Sequence, residues 1–354
     1  MMLKAQKILV MRYRFIGDTV LMVPFLRNLR KAFPAARIDL MLEPFSGQVI
    51  EGCPYVDEVI PYEFKTVHKY IGTASRGKIA GSVHYRRLIK ERSYDAVFVL
   101  KRSLSSALLV WSAGIKRRIG FATEGRQWFL TDPIPYRHDQ HEVENFLDCL
   151  RALDIPIHST ELELWPSLEN QKRAAELLEA TGWESNQLKI VIHATASLPS
   201  KQWPLDRFAA VLKILQGRHQ AKFIYTGAAG DHATYQELES MGPFQGLNLC
   251  GITSLRENCA VFSSAHLFFG VDSGTTHMAA AMGVPVVALF GPTNDIMWRP
   301  WGEGHAVITK HLSCSPCKPH KCDDNECMKR IGIPEALEAI EKQLNRINMK
   351  PRLC

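Results

Sequence analysis

No stretch of the 354-residue chain approaches the roughly 18 consecutive apolar residues of a membrane-spanning helix, so a helical membrane protein is not expected. Residues Met1 to Val10 carry lysines and one short apolar run but no cleavage site of small residues, which argues against a secretory leader. That run, Ile8 to Met11, reads as a first core strand, and the expected location is the cytosol. Nine cysteines are too few for a disulfide framework in a chain this long, and Cys53, Cys149, Cys250, Cys259 and Cys354 lie scattered in apolar or helical contexts. Several chemical signatures are missing as well. No G-x-G-x-x-G follows the first strand, which counts against a dehydrogenase, and there is no P-loop lysine and no G-x-S-x-G elbow. His138, His141 and Glu142 do not make H-E-x-x-H. No Asp-x-Asp pair is present to hold a metal-bound diphosphate, so a cofactor-free, metal-independent reaction is expected. No DNA- or RNA-binding signature appears, and nucleic acid is not expected as a partner.

What is present is ordinary for a globular protein, with 46% hydrophobic and 22% charged residues and a length that suits two domains. The net charge of +7 is uneven. Residues 1–165 hold 24 Lys and Arg against 18 Asp and Glu, whereas 166–354 hold 19 against 18. Residues 61–92 alone hold eight basic and two acidic side chains, the whole excess of their half. Such a patch favours an anionic partner, whether a phosphorylated glycolipid or a membrane surface; a solvated basic loop is the plainer alternative.

Both halves alternate strand and helix, the pattern of parallel sheets covered by helices. Strands are expected at Lys7–Met11, Arg37–Leu42, Asp57–Ile60 and Ala96–Leu100, with one continuous helix from Asp18 to about Ala32 and another over Ser105–Ala113. After a helix at Glu142–Leu153 the chain reads as a linker. Strands then recur at Lys189–His193, Ala221–Thr226 and His266–Val271. The expected division is a first Rossmann-like domain over 1–165, a linker and helix over 166–185, a second Rossmann-like domain over 186–332, and a closing helix within 333–354 that packs back on the first domain. The fold class is α/β, two domains whose parallel sheets face a central cleft, where open sheets of this kind bind ligands.

The segment from Phe268 to Thr293 is the richest in chemical information. It reads as strand, tight loop, short helix of small residues, glycine stop, strand and turn. Asp272 and Ser273 stand where the helix begins, Gly274 lets a ligand approach the backbone, and the first-turn N–H groups with the Thr275 and Thr276 hydroxyls suit phosphate oxygens. An ordinary strand-to-helix turn is the alternative reading of the same residues.

Asp272-Ser273-Gly274-Thr275-Thr276-His277-Met278-Ala279-Ala280-Ala281-Met282-Gly283-Val284-Pro285, followed by Phe290-Gly291-Pro292-Thr293, resembles the signature of the bacterial heptosyltransferases, glycosyltransferase family nine. The likeness extends to Arg14–Pro24, Arg102–Phe121, His141-Glu142-Val143-Glu144 and Lys201-Gln202-Trp203-Pro204. It implies a GT-B fold, an inverting transfer, ADP-heptose as donor and a phosphorylated lipopolysaccharide core as acceptor, with peripheral contact at the inner membrane surface. The cysteine segment and the Lys-Arg-Arg-Ile-Gly stretch look more like the second heptosyltransferase than the first.

An inverting transfer needs one base opposite the leaving group and positive potential under the departing diphosphate. Asp18, at the mouth of the first strand, matches the family's catalytic aspartate; a helix cap is its alternative role. Lys201 is the candidate for diphosphate stabilisation, with Thr195 and Ser197 as further donors. Asp231, at another strand-to-helix turn, suits ribose hydroxyls or a helix cap equally. His277 points at the phosphates or bonds internally. Arg12, Arg14 and Arg102 are candidates for anionic acceptor groups. Trp203 and Pro204 are expected to shape their loop rather than touch substrate. Cys314, Cys317, Cys322 and Cys327, with His320 nearby, fit either a structural zinc site or a loop of reduced thiols. Two other functions stay open on the residues alone: a nucleotide-sugar enzyme of the same fold, such as a 2-epimerase, and a non-catalytic nucleotide- or glycolipid-binding protein.

Overall fold

A computed structural model of the chain describes residues 4–63, 78–184, 186–317, 322 and 324–349. The chain divides into two compact units, Met1–Glu161 and Leu162–Cys354. The first unit is built on strands β1 (Lys7–Met11), β2 (Arg37–Leu42), β3 (Glu58–Pro61), β4 (Ala96–Val99), β5 (Arg117–Phe121) and β6 (Asp132–Ile134), in the order β3-β2-β1-β4-β5-β6. The second is built on β7 (Lys189–His193), β8 (Lys222–Tyr225), β9 (Gly246–Asn248), β10 (Leu267–Val271), β11 (Val286–Phe290) and β12 (Ala306–Thr309), in the order β12-β11-β10-β7-β8-β9. Every neighbouring pair is parallel. The central strands explain why: Ile-Leu-Val-Met, Ala-Val-Phe-Val and Leu-Phe-Phe-Gly-Val are continuous apolar runs buried on both faces, as a parallel sheet between helical layers demands.

In both units the strand order reverses at the centre, between β1 and β4 and between β7 and β10. A crevice opens there at the carboxyl ends of the strands, because the crossovers leave in opposite directions. In the first unit Met11 is in register with Val99, so the loops beginning at Arg12 and Leu100 leave the sheet side by side. In the second, Gly270 is in register with His193. A Cβ on Gly270 would lie 2.6 Å from the His193 carbonyl oxygen, so only glycine lets these strands approach.

One local expectation is corrected. The helix expected over 18–32 is two helices, Ile16–Leu21 and Val23–Ala32, with Pro24 in the first turn of the second, where its missing N–H costs nothing. Asp18 is therefore the third residue of its helix rather than the first. The helix expected within 166–185 is Leu168–Glu179, started by a reciprocal capping box between Ser167 and Asn170 and packed on Leu255–Ser263 of its own unit. The closing helix, Ile333–Met349, places Ala336, Leu337, Ile340 and Leu344 in the core of the second unit, against β10, β11 and β12. Each fully buried Ile or Leu there contributes roughly 1.5–3 kcal/mol of transfer free energy, which fixes the helix where it is.

Candidate active site

In the first unit, charged side chains collect at the β1–β4 crevice. Arg12 and Asp18 are both buried and form an ion pair through Nη2 and Oδ1. The other Asp18 oxygen, Oδ2, accepts the Phe15 backbone N–H at 3.2 Å. Asp18 thus satisfies an orphan donor at the helix start with one oxygen while the other is paired with Arg12. Across from it stands Glu142, fully buried at the start of the helix Glu142–Arg151. Its Oε2 accepts the Tyr136 hydroxyl at 2.5 Å and the Asn145 amide at 3.4 Å, while Oε1 has no hydrogen-bond partner among the described residues. Burial pushes the Glu142 carboxyl up, and Arg12 opposes that shift. Burial alone would lower the Arg12 guanidinium, but the fields of Asp18 and Glu142 leave it raised. Arg12 is therefore the cation of a two-carboxylate cluster, its guanidinium 5.7 Å from the Phe146 ring centroid.

The β4 side adds more positive charge. Arg102 lies over the Tyr136 ring, 4.0 Å from its centroid, a cation–π contact that ties it to the same cluster. Lys101, partly buried beside it, is pushed down to about 8 by burial and by Arg12, Arg14 and Arg102, against the pull of Asp18. Arg14 is half-buried in the β1 loop. The structure thus gathers Arg12, Arg14, Asp18 and Arg102. Sequence reasoning missed Lys101, Tyr136 and Glu142. Lys101 directly precedes Arg102 at the end of an apolar strand, a signal that was available; Glu142 and Tyr136 are brought in only by tertiary packing.

The second unit's crevice is made differently. Lys201, in the loop after β7, donates to Asp272 Oδ2 at 2.7 Å at the end of β10, uniting two candidates expected separately. Ser273, at the N-cap of the helix Gly274–Ala281, makes no side-chain cap; its hydroxyl pairs with Thr275 Oγ1 at 2.7 Å. The first-turn N–H groups of that helix therefore have no side-chain cap. The Thr276 hydroxyl is spent on the Val271 carbonyl at 3.0 Å, so only its backbone N–H is left to face a ligand. Gly283, at φ +74°, ends the turn that follows this helix in the left-handed conformation that glycine adopts without strain. His277 is buried close to His305, whose ring burial lowers to about 4 and whose Nδ1 accepts the Val286 N–H at 3.2 Å.

Thr195 is buried at the end of β7 beside Tyr235, and Ser197 is exposed. His193, which sequence reasoning read only as a strand residue, is buried and donates Nδ1–H to the Thr226 carbonyl at 2.8 Å; burial lowers its basicity. Asp231 stands after β8, and its Oδ2 accepts the Ala228 N–H at 2.8 Å. The turn-capping role is thus realised, with Oδ1 left over. Trp203 is a core residue: its indole N–H donates to the Ile331 carbonyl at 3.1 Å and its ring packs edge-on against Phe208.

Cys314, Cys317, Cys322 and Cys327 are free thiols near one another, and among the described residues no group of three or more His, Cys, Asp or Glu side chains is placed to hold a metal. Cys322 Sγ accepts the Asn325 N–H at 3.4 Å, and Cys327 is buried under its own short helix, with its sulfur close to Gly291. His320 and part of the basic segment, 64–77, lie outside the described residues.

The sequence model of glycosyltransferase family 9 (heptosyltransferase) matches residues 83–328. The chain is 29% identical over 341 residues to lipopolysaccharide heptosyltransferase 3 of Escherichia coli K12, covering 94% of this chain and 96% of that one. Among solved structures it is similar to a family 9 glycosyltransferase from Veillonella parvula, with TM-score 0.82, 23% identity and coverage of 96% and 97%. It is also similar to E. coli ADP-heptose LPS heptosyltransferase II, with TM-score 0.76, 24% identity and coverage of 97% and 99%. The shared fold is GT-B.

Proposed function

The chain belongs to glycosyltransferase family 9, and from that premise we propose that it transfers heptose from ADP-heptose to a phosphorylated lipopolysaccharide inner-core acceptor, with inversion and without a metal, at the cytoplasmic face of the inner membrane. The observation that carries this reading is the pair of crevices, one lined by a buried carboxylate among arginines and the other by uncapped helix N–H groups beside a lysine. Family membership favours transfer over the epimerase and the non-catalytic reading.

In this mechanism Asp18 takes the proton of the acceptor hydroxyl as that oxygen attacks the anomeric carbon. The C–O bond to the β-phosphate breaks on the opposite face, and ADP leaves with the electron pair. Arg12 holds Asp18 in place through their ion pair. In the second unit the N–H groups of Gly274 and Thr275, with Lys201, take up the charge that develops on the departing diphosphate. Lys201 then exchanges Asp272 for phosphate oxygens, an ion-pair swap that avoids leaving a bare cation in the empty site. Asp231 meets the ribose through Oδ1, Thr195, Ser197, Ser273, Thr276 and His277 complete the donor side, and Arg14 and Arg102 bind acceptor anions.

The test is nucleoside-diphosphate release from a panel of nucleotide sugars, with and without heptose-deficient core. ADP release from ADP-heptose that requires the acceptor is the expected result. Turnover without acceptor, or from none of the sugars, would overturn the transferase reading while leaving the fold untouched.

A further inference from the structure

The helix Leu104–Ser112 begins two residues after Arg102 and turns no charged residue to water; Ser105 is its exposed polar side chain. Its inward side is Ser106, Ala107, Leu109 and Val110, all buried in the first unit. Its outward side carries Leu104 at 41% exposure, Leu108 at 36% and Trp111 at 51%, spaced at i, i+4 and i+7 so that they form one stripe. A surface helix normally turns charged residues outward, and one that is apolar all round is covered by something. The stripe is extended by the short turn Arg126–Phe129, which packs on this helix and leaves Trp128 81% exposed. Trp111 touches that turn edge-on through Phe129, at 5.5 Å between ring centroids. Basic groups border the stripe: Arg86 reaches the Ser112 carbonyl at 2.9 Å, and exposed Lys116 follows the helix's glycine stop.

We propose that this face docks on the surface of an anionic phospholipid bilayer. Aliphatic side chains with two tryptophans, flanked by cations, match the boundary between acyl chains and negatively charged headgroups, where indole rings settle and lysine and arginine pair with phosphate. A protein partner would need no cationic border, so charge complementarity selects the lipid. The proposal rests on the transferase reading for its purpose. The stripe starts at Leu104, beside Lys101 and Arg102, so a bilayer on this face presents the headgroup end of a lipid-anchored acceptor to the β1–β4 crevice.

The experiment is flotation of the full chain with phosphatidylcholine vesicles, with and without 30 mol% phosphatidylglycerol as a design choice on the order of a bacterial anionic fraction. The readout is paired with ADP release on a delipidated, soluble core acceptor and with sedimentation velocity. The native chain is expected to float with the anionic vesicles and to be released by salt. Leu108→Ser with Trp111→Ser is expected to reduce the bound fraction at least about fivefold, and Lys116→Glu to reduce it less, with turnover of the soluble acceptor unchanged in both. Binding to anionic vesicles that survives the double substitution overturns the proposal, as does absence of binding by the native chain. A concentration-dependent dimer abolished by the double substitution also overturns it, because the stripe is then a contact between copies. If vesicles are bound and no sugar is transferred to any acceptor, the transferase reading fails and the docking surface stands.

Discussion

The two units share a strand order and a crevice at its reversal point, yet they fill that crevice with different materials. In the first, five charged side chains, Arg12, Asp18, Lys101, Arg102 and Glu142, crowd around the ends of β1 and β4, and burial together with the neighbouring arginines pushes Lys101 down to about 8. In the second, the ends of β7 and β10 offer backbone N–H groups, short hydroxyls and a single ion pair, Lys201–Asp272. The difference suits the two tasks of the proposed transfer. Moving a proton needs a group whose affinity is set by neighbouring charges, whereas holding a diphosphate needs many donors with fixed directions and only one cation. The same α/β frame serves both because the chemistry resides in the loops.

Substitutions sharpen this contrast, the largest effect first. Asp18→Asn is expected to lower kcat by at least about 10²-fold, the usual contribution of a positioned base, in steady-state ADP release. Native turnover in that variant would remove Asp18 from proton transfer. Lys201→Ala is expected to lower kcat/KM by about 10²–10³-fold, as loss of an oxyanion donor does, and to weaken the donor as well. An effect confined to the acceptor KM would place Lys201 on the wrong side of the reaction. Glu142→Gln removes one negative charge beside Arg12 and Asp18 while keeping the side chain's shape. A loss of about tenfold in kcat with little change in KM is expected, together with an acid limb of the pH–rate profile displaced to lower pH. A purely structural Glu142 would alter melting temperature and leave that limb in place.

The smallest effect is expected at Lys101. Its ammonium is the form that attracts an anionic acceptor, and its depressed affinity means that this charge is present below about pH 8 and lost above it. Acceptor KM should therefore rise a few-fold between about pH 7 and pH 9, and Lys101→Met should flatten that rise. A rise of the same size in the methionine variant would assign it to another group.

Much of this was legible in the residues. Continuous apolar runs such as Phe268–Val271 announce buried parallel strands, and the string from Asp272 to Pro285 carries both a loop geometry and a family. The missed features have a common cause. The short strands β5, β6, β9 and β12 have little hydrophobic periodicity of their own and form because a neighbouring strand edge awaits them. The break at Met22 is marked in the sequence only by Pro24, which takes the first turn of the second helix. Glu142 was passed over because its neighbour in sequence is a histidine that caps a helix, with Nδ1 accepting the Val143 N–H at 3.2 Å, whereas its partners in space are Tyr136 and Arg12.

The division of labour between the units is tested most directly by calorimetric titration of ADP into the native chain, Asp18→Asn and Lys201→Ala. Asp18→Asn is expected to bind ADP as the native chain does and Lys201→Ala to bind it at least about tenfold more weakly, a difference of about 1.4 kcal/mol. Equal weakening by both substitutions, or none by Lys201→Ala, would contradict it.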